Sequence, residues 1–485
     1  MNRASKWALV ASTLTWMLAG CGGGAASTDA PTPQDPLSAP ATPKAACGPG
    51  SRPELGLQGR VSRAEHDSGR AAQGYNCNTE LIGSYTVPTN YGTVGGFKVE
   101  RYTDRTGRTC AYYDTTLTYP TNLGTGESGV NVMDLSDPTN PRLTARLQTP
   151  AMLTPHESLV VSQQAGVMAA VTGNAALYPG WVDVYDLSAD CRSPALKSSA
   201  PLAIFGHESG LAPDGKTFYA ASPGTPTITA LDISNPALPR VLGVMPYYTH
   251  GLSISDDGNR AYLAGVGLAG AGCAYAITCD LPDPMGDWGL VILDISDFQS
   301  RKPAPQARVI SRLSWTPISI PQNALPFTRN GKPYLLEIDE FGRDSGVGAA
   351  RVIDIADETK PKVISEIRLE VHNPEHFDTI ANDPGAQFIG QGYAGHYCNL
   401  PSRVDPDIVA CSMIVSGLRV FDIRNPAKPR EIAYYNPPLQ PRITPYLEAS
   451  GYAMSSPSFV PERKEIWFTD VYSGFYVVRV TNGAW

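Results

Sequence analysis

Charged residues are scarce in this sequence. Asp, Glu, Lys and Arg together make up 17% of the 485 residues, and 38 basic residues face 46 acidic ones for a formal charge of −8. No basic run interrupts this acidic balance. Because such a chain has no electrostatic attraction for polyanions, we expect no nucleic acid among its partners.

The chain also lacks the short motifs of several enzyme classes. It contains no Gly-x-Ser-x-Gly, no P-loop, no His-Glu-x-x-His and no dinucleotide-binding Gly-x-Gly-x-x-Gly between a strand and a helix. Cys-x-x-Cys is absent too, so neither thioredoxin-like redox chemistry nor c-type haem attachment has support. The chemistry of this protein must be sought outside these classes.

This composition is not typical of a protein with long helices. The 46 glycines and 43 prolines are too many breakers for extended helices or coiled coils. Hydrophobic residues at 42%, with 9% aromatics, are nevertheless sufficient for a folded core. Short strands joined by turns are the architecture that suits both facts.

Residues 1–20 are predicted to be a secretory signal peptide. Arg3 and Lys6 precede an apolar stretch that is too short to span a bilayer, and Leu-Ala-Gly-Cys follows, ending at Cys21. This ending resembles the bacterial lipoprotein box, in which the cysteine is acylated and becomes the mature N-terminus. We therefore expect a lipid anchor on Cys21; the alternative is an ordinary signal peptide with an incidental cysteine.

A flexible tether is predicted to follow the lipid attachment site. Residues 21–46 are rich in Gly, Pro, Ala and Thr and cannot bury enough apolar surface to become ordered. Gly22 after Cys21 gives no Asp-type retention signal for the inner membrane, so we expect a place in the cell envelope at the outer membrane or cell surface. An N-terminal lead-in at 47–79 would then precede the main domain.

Eight further cysteines predict disulfide bonds, because an even number is typical of exported proteins. Cys273 and Cys279 bracket one short loop. Cys398 and Cys411 lie where neighbouring strands are expected. The pairing of the other four is left open by the sequence, and these are Cys47, Cys77, Cys110 and Cys191.

An internal repeat runs through the rest of the chain. Each copy is an apolar run ending in Asp, followed by Ile or Leu, a Ser-like residue and often Asn-Pro or Asp-Pro. The mean spacing is about 58 residues, enough for four strands and their loops. We expect the repeated carboxylates to fix turns by accepting backbone N–H groups rather than to act in catalysis. They are Asp134, Asp186, Asp232, Asp294, Asp354 and Asp422.

These repeats predict an all-β fold, a seven-bladed β-propeller over residues 80–485. In 290–295 both alternating sets of side chains are apolar, so the strand must be covered on both faces, as radially stacked blades do. A degenerate seventh copy near Phe475 lacks an outer strand, and residues 80–85 are predicted to supply it from the N-terminus and close the ring. An open β-solenoid is the alternative.

The apolar-Asp-Ile/Leu-Ser-Asn/Asp-Pro unit resembles the LVIVD repeat of exported bacterial proteins. The resemblance covers essentially the whole body, and residues 47–77 resemble the lead-in of LVIVD-type lipoproteins. It implies a β-propeller fold and a lipoprotein, but it brings no assigned activity or catalytic residues.

Four histidines are candidate ligands for Zn or Cu. Three of them open successive inner strands, and the fourth fits the same place in the sixth blade, so they are expected to converge at one rim of the central channel. These histidines are His156, His207, His250 and His396. The neighbouring candidates for binding are Glu157 and Glu208, Gln322 at the matching place of another blade, and His376 in an insertion.

Other interpretations of these residues stand beside the metal site. The histidines could be structural, lining a solvated channel, or act as general acids and bases. Two insertions, 265–288 and 370–397, could form a binding surface, and the acidic residues of the first could hold a hard cation.

Three functions are compatible with these features. The first is a non-catalytic binding module of the envelope, held to the membrane by its lipid, with a protein, glycan or small-molecule ligand. The second is a metal-dependent enzyme with its centre in the channel. The third is a purely structural component of the envelope.

Overall fold

The repeats fold into small antiparallel sheets arranged as the blades of a propeller. The computed structural model describes residues 39–86, 94–115, 128–173, 179–267, 287–315, 319–340, 348–386, 391–439 and 450–485. The predicted signal peptide, Cys21 and most of the predicted tether lie outside these residues.

The described strands are β1 (Tyr75–Cys77), β2 (Thr79–Tyr85), β3 (Val99–Thr103), β4 (Thr109–Asp114), β5 (Val130–Asp134), β6 (Arg142–Leu147), β7 (Val160–Ser162), β8 (Val167–Val171), β9 (Gly180–Asp186), β10 (Ala195–Ala203), β11 (Gly210–Leu211), β12 (Thr217–Ser222), β13 (Thr227–Asp232), β14 (Arg240–Met245), β15 (Thr249–Ile254), β16 (Arg260–Val266), β17 (Trp288–Asp294), β18 (Arg308–Leu313), β19 (Pro321–Arg329), β20 (Lys332–Asp339), β21 (Ala350–Asp354), β22 (Lys362–Ile367), β23 (Tyr397–Asn399), β24 (Ile408–Ser412), β25 (Leu418–Asp422), β26 (Arg430–Asn436), β27 (Ser458–Val460), β28 (Glu465–Asp470) and β29 (Gly474–Val480).

Helices in the described part of the chain are short and lie in the connections. The α-helices are Arg63–Asp67, Pro150–Leu153, Ser296–Gln299 and Phe377–Ile380, and the 3₁₀ helices are Ala71–Gln73, Glu370–His372, Pro374–His376 and Pro461–Arg463. None of the described helices is long and apolar enough to cross a membrane.

Seven sheets make seven blades. Blades one to five take four consecutive strands each, from β3 to β22, and within each blade every strand pairs with the next. Blade six contains β23 to β26 and gains β1 as a fifth, outermost strand. Blade seven contains β27 to β29 and gains β2. The all-β, seven-bladed propeller predicted from the repeats is confirmed.

The last blade is closed by the N-terminal strand, as predicted. β2 runs antiparallel to β29 in a register that begins with Thr79 opposite Val480 and ends with Tyr85 opposite Phe475. On the inner side, Val99 N donates to Ser456 O at 3.1 Å, which joins the start of blade one to the approach of blade seven. This pairing ties the two ends of the chain into one ring.

The core is divided between the blades. Seven clusters of buried apolar residues are found among the described residues, one for each pair of neighbouring blades, including blades seven and one. In β17, Leu290 and Ile292 belong to the cluster shared with blade five, whereas Val291 and Leu293 belong to the one shared with blade three. A strand buried on both faces needs the two apolar sets that the sequence shows.

The repeated aspartates fix the turns between the third and fourth strands of their blades. In all six, one carboxylate oxygen accepts the backbone N–H of the second residue onward at 2.9–3.0 Å, as expected for an Asx turn. The donors are Ser136, Ser188, Ser234, Ser296, Ala356 and Arg424. The structural role predicted for these carboxylates is therefore confirmed.

One face of the ring is set apart by the strand directions. The innermost strand of each blade begins there, the second ends there and the third begins there. We call it the upper face. The loops of a rigid scaffold are where binding groups usually lie.

Three disulfides appear in the described residues. Cys47–Cys77 joins the lead-in to β1, Cys110–Cys191 joins blades one and two, and Cys398–Cys411 crosses between β23 and β24. The other proposed pair, Cys273 and Cys279, lies outside the described residues, as does most of the insertion 265–288.

The lead-in packs against the edge of blade six and the connection that precedes it. The packing begins earlier than predicted, within the segment expected to be a flexible tether, because Thr42 is buried and its N–H donates to Arg368 O at 2.9 Å. Further on, Arg60 Nε lies 2.7 Å from Asp383 Oδ2 and Val61 N donates to the Tyr393 hydroxyl at 3.0 Å. The N-terminal segment thus holds the connection between blades five and six in place.

We predict that the turn carboxylates stabilise the fold in a pH-dependent manner, and Asp422 provides the test. Hydrogen bonds from Arg424, helped by Arg430 and opposed by partial burial, hold the pKa of Asp422 down to about 2, below its ordinary 3.8. A depressed pKa stabilises the fold above pH 4, and this stabilisation is lost as the pH falls toward 2. Asp422→Asn should therefore lower the free energy of unfolding by about 1 kcal/mol at pH 7.

Urea denaturation between pH 7 and about pH 3 measures this effect, and the difference from the parent should shrink with acidification. The control is Asp378→Asn, because Asp378 is exposed in a connection. An equal penalty at both ends of the pH range would contradict the ionic origin of the stabilisation.

Candidate functional site

Residues that open the innermost strands converge at the upper end of the channel. His156 and Glu157 precede β7, His207 and Glu208 precede β11, and His250 is the second residue of β15. Gln322 is the second residue of β19, and His396 immediately precedes β23. Positions far apart in the sequence therefore meet because the ring brings the starts of the inner strands together.

The imidazoles lie in direct contact. His156 Nε2 is 3.2 Å from His207 Nε2, and His207 Nε2 is 2.9 Å from His250 Nε2. His156 and His250 are buried, whereas 15% of the His207 side chain is exposed. His207 is accordingly the histidine of this group through which solvent reaches the cluster.

Glu157 lies at the centre of the cluster and is fully buried. Its Oε1 is 3.2 Å from His396 Nε2, and its Oε2 is 3.5 Å from His207 Nε2 and 3.6 Å from His250 Nδ1. Gln322 Nε2 donates to the same Oε2 at 2.8 Å. One carboxylate thus contacts side chains from four blades.

A second central carboxylate, Glu340, was missed by the sequence analysis. Its Oε2 is 3.2 Å from His250 Nε2, and its Oε1 is 3.5 Å from His396 Nε2. Gln391 Nε2 donates to Oε1 at 2.7 Å. Its position directly after β20 could have predicted its place in the site, because the second strand of each blade ends on the face where the inner strands begin.

His396 presents one nitrogen to the cluster and uses the other as an anchor. Its Nδ1 lies 2.6 Å from the Met454 carbonyl, so hydrogen bonding assigns the proton to Nδ1. The lone pair of a neutral His396 would then be on Nε2, which faces Glu157 and Glu340. A backbone carbonyl that fixes the tautomer in this way is typical of metal-binding histidines.

The cluster carries strongly shifted pKa values. Burial lowers the pKa of His156 to about 4 and also holds the pKa of His207 well below its ordinary value. Burial opposes protonation of His396 as well, but Glu157 and Glu340 outweigh it and raise its pKa to about 10. Without another cation, a protonated imidazole therefore compensates the buried carboxylates.

The carboxylates respond in the opposite direction. Burial disfavours the charge on Glu340, yet hydrogen bonds and charge from His250 and His396 lower its pKa to about 2. Burial likewise opposes the charge on Glu157, but the surrounding histidines, His250 first, and the hydrogen bond with His396 hold its pKa well below its ordinary value. Two buried negative charges thus persist at neutral pH.

A second polar layer lies beside the histidines. Lys98 Nζ, from the approach to β3, donates to Glu208 Oε1 at 2.8 Å, and Asn323 Nδ2 donates to the same oxygen. Ser253 Oγ lies 3.3 Å from Asn323 Oδ1. Lys98 also faces the ring of Tyr397, with Nζ 4.5 Å from the centroid. The ammonium group of Lys98 thus neutralises the carboxylate of Glu208.

Two glycines leave the space that the cluster occupies. A Cβ on Gly173 would lie 2.3 Å from the Cβ of His156, and a Cβ on Gly251 would lie 2.0 Å from Glu208 Oε2. His156 itself adopts a φ of 52°, a left-handed conformation that is costly for a residue with a side chain. The local backbone is therefore shaped around these side chains.

One predicted residue does not join the cluster. His376 is the last residue of the 3₁₀ helix Pro374–His376. Within the described part of the chain it does not contact the four histidines. The buried histidine of this connection is His372, whose Nε2 lies 2.6 Å from Tyr393 O and whose Nδ1 accepts from Leu369 N. Both of its nitrogens are used in holding the connection.

The arrangement has the chemistry of a transition-metal site. Imidazole nitrogens and carboxylate oxygens suit Zn, Cu, Fe and Ni. Ligand atoms of His156, Glu157 and His207 lie within 4.8 Å of one another, as do those of Glu157, Glu208 and His250. All of these residues except His207 are buried.

Several solved structures are similar to this chain at low identity. The periplasmic gluconolactonase of Pseudomonas aeruginosa is 13% identical, with 80% of this chain and 99% of that one covered and a TM-score of 0.46. Hydrazine synthase of Kuenenia stuttgartiensis is 14% identical, covering 81% and 97%, with a TM-score of 0.48. A protein of Lactobacillus plantarum is 11% identical, covering 75% and 89%, with a TM-score of 0.49.

Similarity at this level says nothing about the activity of this chain. No protein-family model matches the sequence, and no curated protein matches it.

Proposed function

We propose that this protein is an exported, membrane-anchored β-propeller that binds a transition-metal ion among the channel histidines. The observation that carries the proposal is the convergence of four imidazoles and the carboxylates of Glu157 and Glu340 within 3.5 Å contacts. The sequence left the ligand of a binding module open among protein, glycan and small molecule and connected the metal with an enzyme; this proposal makes the metal itself the ligand of the channel.

Charge and burial support a divalent cation in this position. Two buried carboxylates need compensation, and Lys98 is already paired with Glu208. Burying charge without a partner is costly, so the site is stable only with protons on its imidazoles or with a cation in their place. A divalent ion supplies the two positive charges that Glu157 and Glu340 require.

The first prediction of this proposal concerns metal affinity. The full chain, extracted in detergent, stripped with chelator and free of any His tag, should bind added Co²⁺ and develop visible ligand-field absorption. Replacing His156 and His250 together by Ala should reduce the affinity by more than the roughly 10–100-fold that loss of a supporting residue costs. Absorption titration measures both.

His376→Ala is the matched control, since His376 lies outside the cluster and should leave the titration unchanged. The same loss in His376→Ala as in the double variant would contradict the assignment, as would a parent protein that takes up no Co²⁺. Circular dichroism establishes that each variant keeps its β structure.

A metal-dependent enzyme is the second candidate function. Two buried acceptor atoms beside the ligands, Glu208 Oε2 and Gln322 Oε1, have no hydrogen-bond partner among the described residues. Buried polar atoms are normally satisfied, so these two are suited to the donors of a bound water or small substrate. A water held between them and the metal would be available as a nucleophile.

The enzyme hypothesis predicts an open coordination position. Azide, a small anion that binds vacant metal positions, should shift the absorption of the Co²⁺-loaded protein in a saturable manner. Glu208→Gln should alter the azide affinity more than the Co²⁺ affinity. A spectrum that azide does not change would instead favour a closed site and a binding module without catalysis.

The envelope location is part of the proposal and rests on the sequence alone. The Leu-Ala-Gly-Cys ending of the leader and the Pro-rich segment up to residue 46 are typical of a lipidated cysteine followed by a spacer. LVIVD-type lipoproteins share this plan. The propeller would then work at the outer membrane or cell surface, on the end of a tether.

We predict that Cys21→Ser abolishes membrane attachment, because the lipid is the expected anchor. Fractionation of cells expressing the parent and the variant should place the parent in the membrane pellet and move the variant out of it. Labelling with a palmitate analogue should mark only the parent. A variant that remains in the pellet without label would contradict lipid anchoring at this cysteine.

A further inference from the structure

We infer that the channel site holds two metal ions bridged by the carboxylates of Glu157 and Glu340. This inference rests on the proposed function and deepens it, since it assigns the number of ions and the sharing of ligands. It is carried by the way in which each carboxylate divides its two oxygens between different histidines.

Glu157 faces two groups of imidazoles. Its Oε1 is 3.2 Å from His396 Nε2 and 4.0 Å from His156 Nε2. Its Oε2 is directed instead to His207 Nε2 at 3.5 Å and to His250 Nδ1 at 3.6 Å. The carboxylate therefore separates the histidines into a first pair, His156 and His396, and a second pair, His207 and His250.

Glu340 divides its contacts along the same line. Its Oε1 is 3.5 Å from His396 Nε2, in the first pair, and its Oε2 is 3.2 Å from His250 Nε2, in the second. Two carboxylates that each place one oxygen on either side have the arrangement of bridges between two cations. Paired ions in such centres lie about 3.5–4 Å apart.

Ring contacts link the histidines of each side, and one contact joins the two sides, since His156 Nε2 is 3.2 Å from His207 Nε2. His156 and His396 pack against the same ring, with centroids 4.5 and 5.3 Å from that of Phe97. In the second pair, the 2.9 Å between His207 Nε2 and His250 Nε2 suits adjacent ligands on one ion, given metal–nitrogen bonds of about 2.0–2.1 Å. On the second side, Glu340 Oε2 lies at His250 Nε2, the nitrogen that faces His207, whereas Glu157 Oε2 lies at His250 Nδ1 and reaches this side through His207 Nε2.

The number of ligands also exceeds what one ion of this class takes. Structural Zn²⁺ is bound by four protein ligands, whereas this pocket presents four imidazole nitrogens and four carboxylate oxygens from two glutamates. Divided between two ions, the same set gives each ion two nitrogens and two oxygens. Zn²⁺, Mn²⁺, Fe²⁺ and Cu²⁺ all accept such mixed sets.

Lys98 and Glu208 bear on the charge of a centre with two ions. Glu208 Oε1 is held by Lys98 Nζ at 2.8 Å, so this carboxylate is already paired. Two divalent ions would bring four positive charges against the two negative charges of Glu157 and Glu340. Such a centre therefore favours small anionic ligands between the two ions.

The test is metal stoichiometry in the detergent-extracted, chelator-stripped full chain, reloaded with Zn²⁺ and measured by elemental analysis after gel filtration. We expect two Zn²⁺ per chain. The variant His156→Ala/His396→Ala and the variant His207→Ala/His250→Ala should each retain one. His376→Ala is the matched control and should retain two.

A measurement without substitutions guards against variants that fail to fold. In the parent protein loaded with Cu²⁺, coupling through the bridges should make the EPR spin count at low temperature clearly smaller than the copper content. Glu157→Asp, which keeps the charge but shortens the reach, should restore the full spin count while retaining most of the copper.

The outcomes separate this inference from the proposed function. One Zn²⁺ per chain with a full Cu²⁺ spin count would overturn the two-ion centre and leave a mononuclear site. No bound metal would overturn both. Two ions that neither histidine-pair variant reduces would place one ion elsewhere and would also overturn the bridged centre.

Discussion

The pairing of β2 with β29 is the constraint on which the site depends. Each blade can form from local hairpins, but the starts of the inner strands converge only when the ring is closed. Closure also removes the free edge of β29 and creates the apolar cluster between blades seven and one, which includes Trp467 and Tyr113. The histidine cluster is in this sense a product of the ring, since its members come from separate blades and lie far apart in the sequence.

Inside the ring, charge compensation determines which groups of the pocket are protonated. Glu157 and Glu340 stay ionised because protonated imidazoles face them, whereas His156 remains neutral because burial dominates its surroundings. A pocket that gathers negative charge, neutral imidazoles and fixed tautomers is preorganised for cations, and metal binding would replace protons that the fold otherwise needs. The paired Lys98 and Glu208 show that the protein neutralises charge internally where a third carboxylate approaches.

The sequence predicts the architecture better than the site, for a physical reason. The strand pattern repeats in every blade and the Asx turn in six of the seven, so the fold is encoded several times over. Positions such as His156 and His250 are found by aligning the starts of the inner strands. Glu340 and Lys98 were missed. Glu340 follows a second strand, so it does not match the repeat position that identified the histidines. Lys98 immediately precedes the innermost strand of blade one, as His396 does in blade six, so the same alignment could have found it. The disulfide pairing of Cys110 with Cys191 likewise depends on which blades are neighbours.

The strand that completes the propeller has a consequence for when the pocket comes into being. β29 is synthesised long after its partner β2, because the strands of the other six blades lie between them in the chain. If the chain is exported, as we propose, and crosses the membrane unfolded, it would carry scattered histidines of low affinity until β29 arrived on the far side of the membrane. The ion bound would then be one that is available outside the cytoplasm. The protein would not bind the cation that is most abundant in the compartment where it is synthesised.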